Sequence, residues 1–162
     1  MYNLQSKKNS KLTTQNLQLI SGFSLIELIL AMAIISILSV ALWGNFFSSI
    51  IKGRDSRRKQ DLESISKALE LYYYDFKAYP TGLPSWGQSF SHPTKGSIIY
   101  MQKLPTDPIY PKYSYCYTST DGTYYKLYAN LENTSDPKLL PALVSCNGVN
   151  YNYGISSSNT TP

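Results

Sequence analysis

The stretch FSLIELILAMAIISILSVALWGNFFSSII, residues 23–51, decides how this chain is organised. From Leu28 to Ile51 it runs for 24 consecutive residues without a charged side chain. A helix needs about 20 such residues to cross the core of a bilayer, where the backbone must bond to itself. A buried core helix is the alternative, but a chain of this size seldom needs one that is apolar on every side. The sequence therefore predicts a membrane helix over 23–51.

Composition narrows the classes of function. The chain has 162 residues, a net charge of +5 and 43% apolar residues, which excludes an acidic disordered chain and a multi-domain enzyme. One histidine and two cysteines leave little for a Cys/His zinc site or a Ser-His-Asp triad. His92 lies in a loop, where we expect it to be exposed and inert. We therefore expect no catalytic residue and no enzyme.

Glu27 is the one charge inside the apolar stretch. A carboxylate within a transmembrane helix costs about 2.5–3.5 kcal/mol, although the cost is small if it lies at the membrane interface. The alternative is that Glu27 awaits a cationic partner, and no Lys or Arg lies between Lys11 and Lys52. A cut after Gly22 would supply one, because the new amine of Phe23 would lie about one helical turn from its own Glu27, or near the Glu27 of a neighbour.

The motif GFSLIEL, residues 22–28, resembles the cleavage motif of the type IV pilin and pseudopilin family. The resemblance implies that a membrane prepilin peptidase cuts between Gly22 and Phe23 and methylates the Phe23 amine. It also implies that Glu27 neutralises the Phe23 amine of an adjacent subunit during assembly. Further implied partners are the lipid membrane, copies of this chain, other pilin-like subunits in a helical filament, and an inner-membrane assembly platform.

In this interpretation residues 1–22 are a cleaved cytoplasmic leader, whose three lysines favour a cytoplasmic N-terminus. Residues 23–51 form the transmembrane and assembly helix, and the C-terminal head is exported. We expect a single-pass protein of the cytoplasmic membrane that later enters a filament.

Residues 52–79 predict an amphipathic stem helix. Apolar side chains recur there at steps of three and four: Leu62, Ile65, Leu69, Tyr72 or Tyr73, and Phe76. The sequence Tyr-Pro-Thr-Gly at 79–82 then ends the helix. The segment 54–81 resembles the pseudopilin stem of the type II secretion class. The basic cluster at 52–59 is a solvated face, a set of lipid-headgroup anchors or a nucleic-acid patch; anchors are favoured, and nucleic acid is the least expected partner.

The sequence predicts a loop and a small antiparallel β head over residues 80–155. It predicts a disordered tail over residues 156–162. Trp86 and Phe90 should pin the long loop 80–96 onto the head. Two strands, 113–118 and 124–131, flank a hairpin turn, and a weaker third strand covers 143–147. The predicted fold is α+β: a long N-terminal helix, half membrane and half amphipathic, packed on a small antiparallel sheet.

Two further sites are predicted in the head. In an exported head Cys116 and Cys146 could form a disulfide, and the alternative is a pair of free buried thiols. Oxygen-bearing side chains cluster in one short loop, whose chemistry suits calcium, although such loops are mostly simple turns: Asn130, Glu132, Asn133, Ser135 and Asp136. The family resemblance also points to calcium in this part of the head. We nevertheless expect no cofactor and no defined metal ligand set.

The favoured function is a structural filament subunit, a prepilin that assembles into a type IV pilus or a type II secretion pseudopilus. One alternative is a minor pilin-like subunit for DNA uptake. Another is an uncleaved, membrane-anchored binding module, which would have no need of Glu27. The stem favours the secretion class, whereas the Tyr-rich hairpin and the cysteine pair depart from it.

Overall fold

The computed structural model describes residues 22–162, without the side chains of 41–45. Apart from Gly22, the predicted leader lies outside the described residues. Across the described residues a single long helix precedes seven short strands: α1 (Leu25–Phe76), β1 (Phe90–Ser91), β2 (Ile99–Met101), β3 (Cys116–Thr118), β4 (Lys126–Ala129), β5 (Val144–Cys146), β6 (Val149–Tyr151) and β7 (Tyr153–Ser156). The predicted α+β class is confirmed.

The chain divides into two compact units, Met1–Ala41 and Leu42–Pro162. Where the structure describes the first unit, its large apolar side chains are exposed. The hydroxyls of Ser36 and Ser39 donate to carbonyl oxygens four residues earlier, so the helix itself satisfies these polar groups. Within the described residues, no helix is both long enough and apolar enough to span a membrane. The membrane helix over 23–51 stays a prediction.

The second unit contains three small antiparallel sheets. The largest has the strand order β3–β4–β7, and the pairs β1–β2 and β5–β6 form two-stranded sheets. The predicted hairpin is confirmed, with Tyr117 opposite Leu127 across β3 and β4. Its strands are shorter than the alternating sequence pattern indicates.

The core lies between one face of α1 and the largest sheet. Leu62, Ile65 and Leu69 are completely buried, as the periodicity of the stem predicts. They pack in one cluster with Tyr125 and Leu127 of the sheet region. Burying each of these Leu or Ile side chains contributes about 1.5–3 kcal/mol, so this face holds the head against the stem.

Tyrosine hydroxyls add a second row of contacts along the same helix. Each of four tyrosines outside α1 hydrogen-bonds a polar side chain of the helix, and the contacts follow one another at intervals of four or five residues: Tyr115 with Asp61, Tyr125 with Ser66, Tyr79 with Glu70, and Tyr100 with Asp75. A phenol buries a large apolar ring while keeping one polar atom for such a bond. This geometry gives a physical role to part of the high tyrosine content, 15 residues.

The helix ends where a turn of the sheet meets it. Lys77 takes a left-handed conformation, with φ 56°, and its N–H donates to the carbonyl of Tyr73 at 2.7 Å. The N–H of Tyr79 then donates to the carbonyl of Gly122 at 2.8 Å. Gly122 itself has φ +77°, and a Cβ there would lie 3.0 Å from the Tyr79 carbonyl oxygen. Only glycine fits this contact without strain.

The third strand of the largest sheet corrects the sequence prediction. Residues 143–147 were expected to fill that place, but β5 pairs with β6 instead, and β7 pairs with β4. The reason is the Asn147-Gly148 turn, in which both residues have positive φ, 50° and 78°. Asn-Gly is a strong signal for a two-residue hairpin, so the chain turns back on itself at once.

The structure also corrects the prediction for the C-terminal tail. Residues 156–162 were expected to be disordered, but Ser157 is buried and exchanges hydrogen bonds with the backbone of Tyr125. The side chain of Asn159 donates to the Thr123 carbonyl at 2.9 Å. These bonds continue the pairing of β4 with β7 past the end of the strand.

The long loop 80–96 is partly regular. Phe90 and Ser91 form β1 and pair with β2, so this segment is a short hairpin arm rather than a continuous loop. Phe90 is buried, and Trp86 packs against the same core, which confirms that these two rings pin the segment.

Candidate functional site

The predicted processing and assembly residues lie at the start of α1. Gly22 and Phe23 precede the helix in an exposed segment without regular secondary structure, and Phe23 is 85% exposed. A Cβ built on Gly22 would meet nothing within 4 Å, so the space beside this residue is open. Glu27 is the acidic residue in the first helical turn. A carboxylate there is stabilised by the positive end of the helix dipole.

The helix beyond Glu27 has no cover among the described residues of the first unit. Large apolar side chains remain half exposed or more along it, for example Ile35 at 62% and Val40 at 79%. Exposed apolar surface of this extent marks a membrane or protein interaction site. The arrangement therefore combines an accessible peptide bond, one carboxylate and a continuous apolar surface.

A second polar site joins the stem to the head, and sequence reasoning missed it. The guanidinium of Arg58, whose side chain is completely buried, forms salt bridges with three carboxylates: Asp55 at 2.7 Å, Asp107 at 2.7 Å and Glu132 at 2.7 Å. Arg54 makes a two-pronged contact with Glu132, at 2.8 and 2.6 Å. Bidentate arginine–carboxylate pairs of this kind are strong and directional.

This cluster corrects the interpretation of the basic residues at 52–59. Anchoring to lipid was favoured there, but Arg54, Arg58 and Lys59 all bind carboxylates of the head. Arg57, by contrast, is largely exposed and lies 4.0 Å from Asp61. The sequence did hold a weak signal, because Asp55 and Arg58 are spaced to meet on one helix face.

Electrostatics favour the charged forms of Arg58 and Glu132. Burial lowers the pKa of Arg58, but hydrogen bonds to Asp107, Glu132 and Asp55 more than offset this, so the pKa is raised. The hydrogen bond from Arg54, ahead of that from Arg58, lowers the pKa of Glu132 to about 2, against the opposing effect of partial burial. By contrast, burial raises the pKa of Asp61, although Tyr115 donates to it.

The lowered pKa of Glu132 predicts a pH dependence of stability. A carboxyl group whose pKa falls on folding stabilises the protein above its unfolded pKa, here about 4.5, and loses that contribution as the pH falls towards about 2. We expect Glu132→Gln to unfold at a lower temperature near neutral pH and to show a weaker fall of Tm through this acid range. Thermal unfolding at a series of pH values checks it. Glu63→Gln, an exposed acid of the same protein, should keep the wild-type profile, and an equally steep profile for Glu132→Gln would contradict the assignment.

Cys116 and Cys146 form a disulfide that joins β3 to β5, as predicted. The bond closes a loop with a sequence separation of 30 residues, and both cysteines are buried beside Tyr128 and Tyr151. It ties the small β5–β6 hairpin to the largest sheet. Such a cross-link fits a head that folds in an oxidising compartment.

We expect the double substitution Cys116→Ser and Cys146→Ser to lower the free energy of unfolding by about 3 kcal/mol, because an open loop of this length gains entropy in the unfolded chain. Denaturant unfolding of the two proteins measures the difference. A reducing agent should lower the stability of the wild type and leave the double variant unchanged. Equal stability of the oxidised and reduced wild type would contradict the prediction.

The remaining sequence candidates have structural roles. His92 is half buried, and its Nδ1 accepts the backbone N–H groups of Thr94 and Lys95, at 3.2 and 3.1 Å. Its ring lies 4.7 Å from that of Phe76, so it organises the turn before β2 rather than standing free as expected. Of the proposed calcium ligands, Glu132 and Asp136 contact stem cations.

Comparison with known proteins places these features in a family. Residues 45–134 match the family model described as type II secretion system, protein G, and residues 19–43 match the prokaryotic N-terminal methylation motif. The type II secretion system core protein G of Pseudomonas aeruginosa is 29% identical over 111 residues, covering 64% of this chain and 78% of the relative.

The protein of the same name from Vibrio cholerae is 27% identical over 109 residues, covering 64% of this chain and 75% of the relative. No solved structure gives a significant match. The methylation motif covers Gly22, Phe23 and Glu27, and the family model covers the stem and the first two strands of the largest sheet. The chain therefore belongs to the type II secretion system protein G family.

Proposed function

We propose that this chain is a structural subunit of a type II secretion pseudopilus, made as a precursor and assembled after its leader is removed. The observation that carries the proposal is the position of Glu27, in the first turn of an exposed apolar helix directly behind Gly22 and Phe23. The match to the methylation motif over the same residues supports it. The role is structural and requires no catalytic residue in this chain.

Processing would begin with hydrolysis of the peptide bond between Gly22 and Phe23 by a prepilin peptidase. Water supplies the oxygen of the new Gly22 carboxylate, and Phe23 becomes an N-terminal amine. That amine then takes a methyl group from a sulfonium methyl donor, which leaves as a thioether, and the amine loses a proton. The exposed segment around this bond is not part of the helix, which suits a protease, because a substrate must enter its active site as an open strand.

Assembly would then pair each new amine with the Glu27 carboxylate of a neighbouring subunit. Either charge alone is costly among apolar helices, and the pair restores neutrality. Because the pair forms at one relative height of two helices, it would set the axial register of the filament. Head-to-tail contacts between different surfaces do not close on themselves, so repetition produces a helical fibre.

Before assembly, the subunit would rest in the cytoplasmic membrane with its head exported, held by the apolar residues 23–51. The disulfide between Cys116 and Cys146 supports export of the head, since such bonds persist in oxidising compartments. An assembly platform in the inner membrane would move the subunit from the bilayer into the filament. A minor subunit of a DNA-uptake filament would share every one of these steps.

The direct test is mass spectrometry of the protein purified from cells with an active prepilin peptidase. We expect the mature chain to begin at Phe23 and to carry a methyl group on its amine. Gly22→Val should block the cut, because a branched side chain would occupy a site at which this chain has none. An intact leader on membrane-inserted wild-type protein would instead support an uncleaved, anchored binding module.

A further inference from the structure

The segment 130–136, here called the oxygen-rich loop, carries side chains of the type that calcium binds. A calcium ion takes about six to eight oxygen ligands, and those oxygens must be free to turn towards it. Asn130, Glu132, Asn133, Ser135 and Asp136 are the residues concerned. Their contacts decide whether the loop fits a metal ion.

The two carboxylates of the loop are already neutralised by the stem. Both oxygens of Glu132 accept hydrogen bonds from Arg54, and one also accepts from Arg58. One oxygen of Asp136 lies 2.6 Å from the Lys59 ammonium, and the other accepts the backbone N–H of Lys138 at 2.9 Å. No carboxylate oxygen of the loop is left without a donor.

Hydrogen bonds also hold the two asparagine side chains of the loop in place. The side-chain oxygen of Asn133 accepts the N–H of Ser135, and the amide of Asn130 donates to the carbonyl of Asn150. Asp55 of the stem reaches the loop from the other side and accepts the backbone N–H groups of Glu132 and Asn133, at 3.0 and 2.8 Å. These bonds fix the loop backbone directly onto α1.

The space beside the loop is also unfavourable for a divalent cation. A cavity of about 290 Å³ lies beside these contacts, and two lysines form part of its wall. The lining residues are Lys52, Asp55, Ser56, Lys59, Asn133 and Asp136. Ammonium groups repel a second cation at this range. Among the described residues no three His, Cys, Asp or Glu side chains are grouped so as to hold a metal ion. The donor set therefore does not fit calcium.

We propose that Arg54, Arg58 and Lys59 of the stem are the resident counter-cations of the oxygen-rich loop, so that the head becomes ordered without a divalent metal. A bound ion would have to be captured from the medium, whereas these three cations are covalently part of the helix that the loop packs on. The head is then complete as soon as it has folded against its stem, whatever the calcium concentration outside the cell. This inference does not depend on filament assembly.

Thermal unfolding of the full-length chain in detergent micelles, followed by near-ultraviolet circular dichroism, tests the proposal. We expect the same Tm in excess calcium chloride and in excess EGTA. Lys59→Gln should lower the Tm by about 3 °C or more in both media, since it frees the Asp136 carboxylate. Lys67→Gln is the matched control, because Lys67 lies on the exposed side of the same helix, and it should leave the Tm unchanged.

A charge exchange separates the ion pair from simple packing. Lys59→Asp should unfold at a lower temperature than the wild type, and the added substitution Asp136→Lys should recover part of the loss. Stabilisation of the wild type by calcium, equal behaviour of Lys59→Gln and Lys67→Gln, or a double variant no better than Lys59→Asp would each overturn the proposal.

Discussion

Arg58→Met should lower the free energy of unfolding by about 3–5 kcal/mol, a large share of the roughly 5–15 kcal/mol that stabilises a typical domain. The guanidinium has no exposed surface and donates four hydrogen bonds to three carboxylates. Methionine fills a similar volume but provides no donor. Asp55 and Asp107 would then remain buried without their cationic partner, and the cost of that exceeds the value of any one hydrogen bond.

Urea unfolding of the full-length protein in detergent measures this loss. Arg57→Met is the matched control, because the Arg57 side chain is 65% exposed and its contact with the carboxylate of Asp61 is long, at 4.0 Å. We expect a change within about 0.5 kcal/mol for the control, as for most exposed substitutions. Arg58→Lys should fall between the two, since a lysine keeps the charge but loses the fork that grips Asp107 at 2.7 and 3.0 Å. Equal stability of the Arg57 and Arg58 variants would show that the cluster contributes nothing.

The contrast between these neighbouring arginines also shows which parts of the structure can be predicted from the sequence. The helix and its buried face follow from local rules, because apolar side chains recur at helical spacing and Tyr-Pro-Thr-Gly ends the pattern. The helix ends at Phe76, three residues before the predicted limit at Tyr79. The hairpin of β3 and β4 follows from alternation around a turn. Such features depend on residues that are close together in the chain.

What the sequence could not reveal depends on distant residues. Arg58 meets Asp107 and Glu132, which lie 49 and 74 residues further along the chain, and no local pattern distinguishes Arg58 from Arg57. For the same reason the sequence did not predict the pairing of β4 with β7, because the whole β5–β6 hairpin lies between these two strands in the chain. The Asn147-Gly148 turn was a local signal that could have found that hairpin.

The processing residues show the opposite case. Gly22, Phe23 and Glu27 form a compact motif that is visible in the sequence, and the structure adds only that the segment is accessible and that Glu27 lies in the first turn. The proposed pairing of Glu27 with the Phe23 amine would be visible only in an assembly of several subunits. A substitution that acts on assembly and leaves folding unchanged is therefore needed to test them.

Glu27→Ala should leave membrane insertion intact and reduce incorporation into filaments by at least about tenfold. Removing a carboxylate makes insertion no harder, but every Phe23 amine in the fibre would lose its partner. An unpaired charge among apolar helices costs about 2.5–3.5 kcal/mol, and each 1.4 kcal/mol corresponds to a factor of about ten. Membrane fractionation measures insertion, and the amount of subunit in sheared or cross-linked filaments measures assembly.

Glu63→Ala, which removes an exposed acid of the stem, is the control and should assemble normally. Co-expression with the wild type gives a sharper comparison, because each Glu27→Ala subunit that enters a mixed filament leaves one neighbouring amine unpaired. The share of variant in the filaments should therefore stay far below its share in the membrane at every expression ratio. Equal shares in the two fractions would mean that the carboxylate of Glu27 does not pair with the new N-terminus, and the register of the fibre would have to come from the heads.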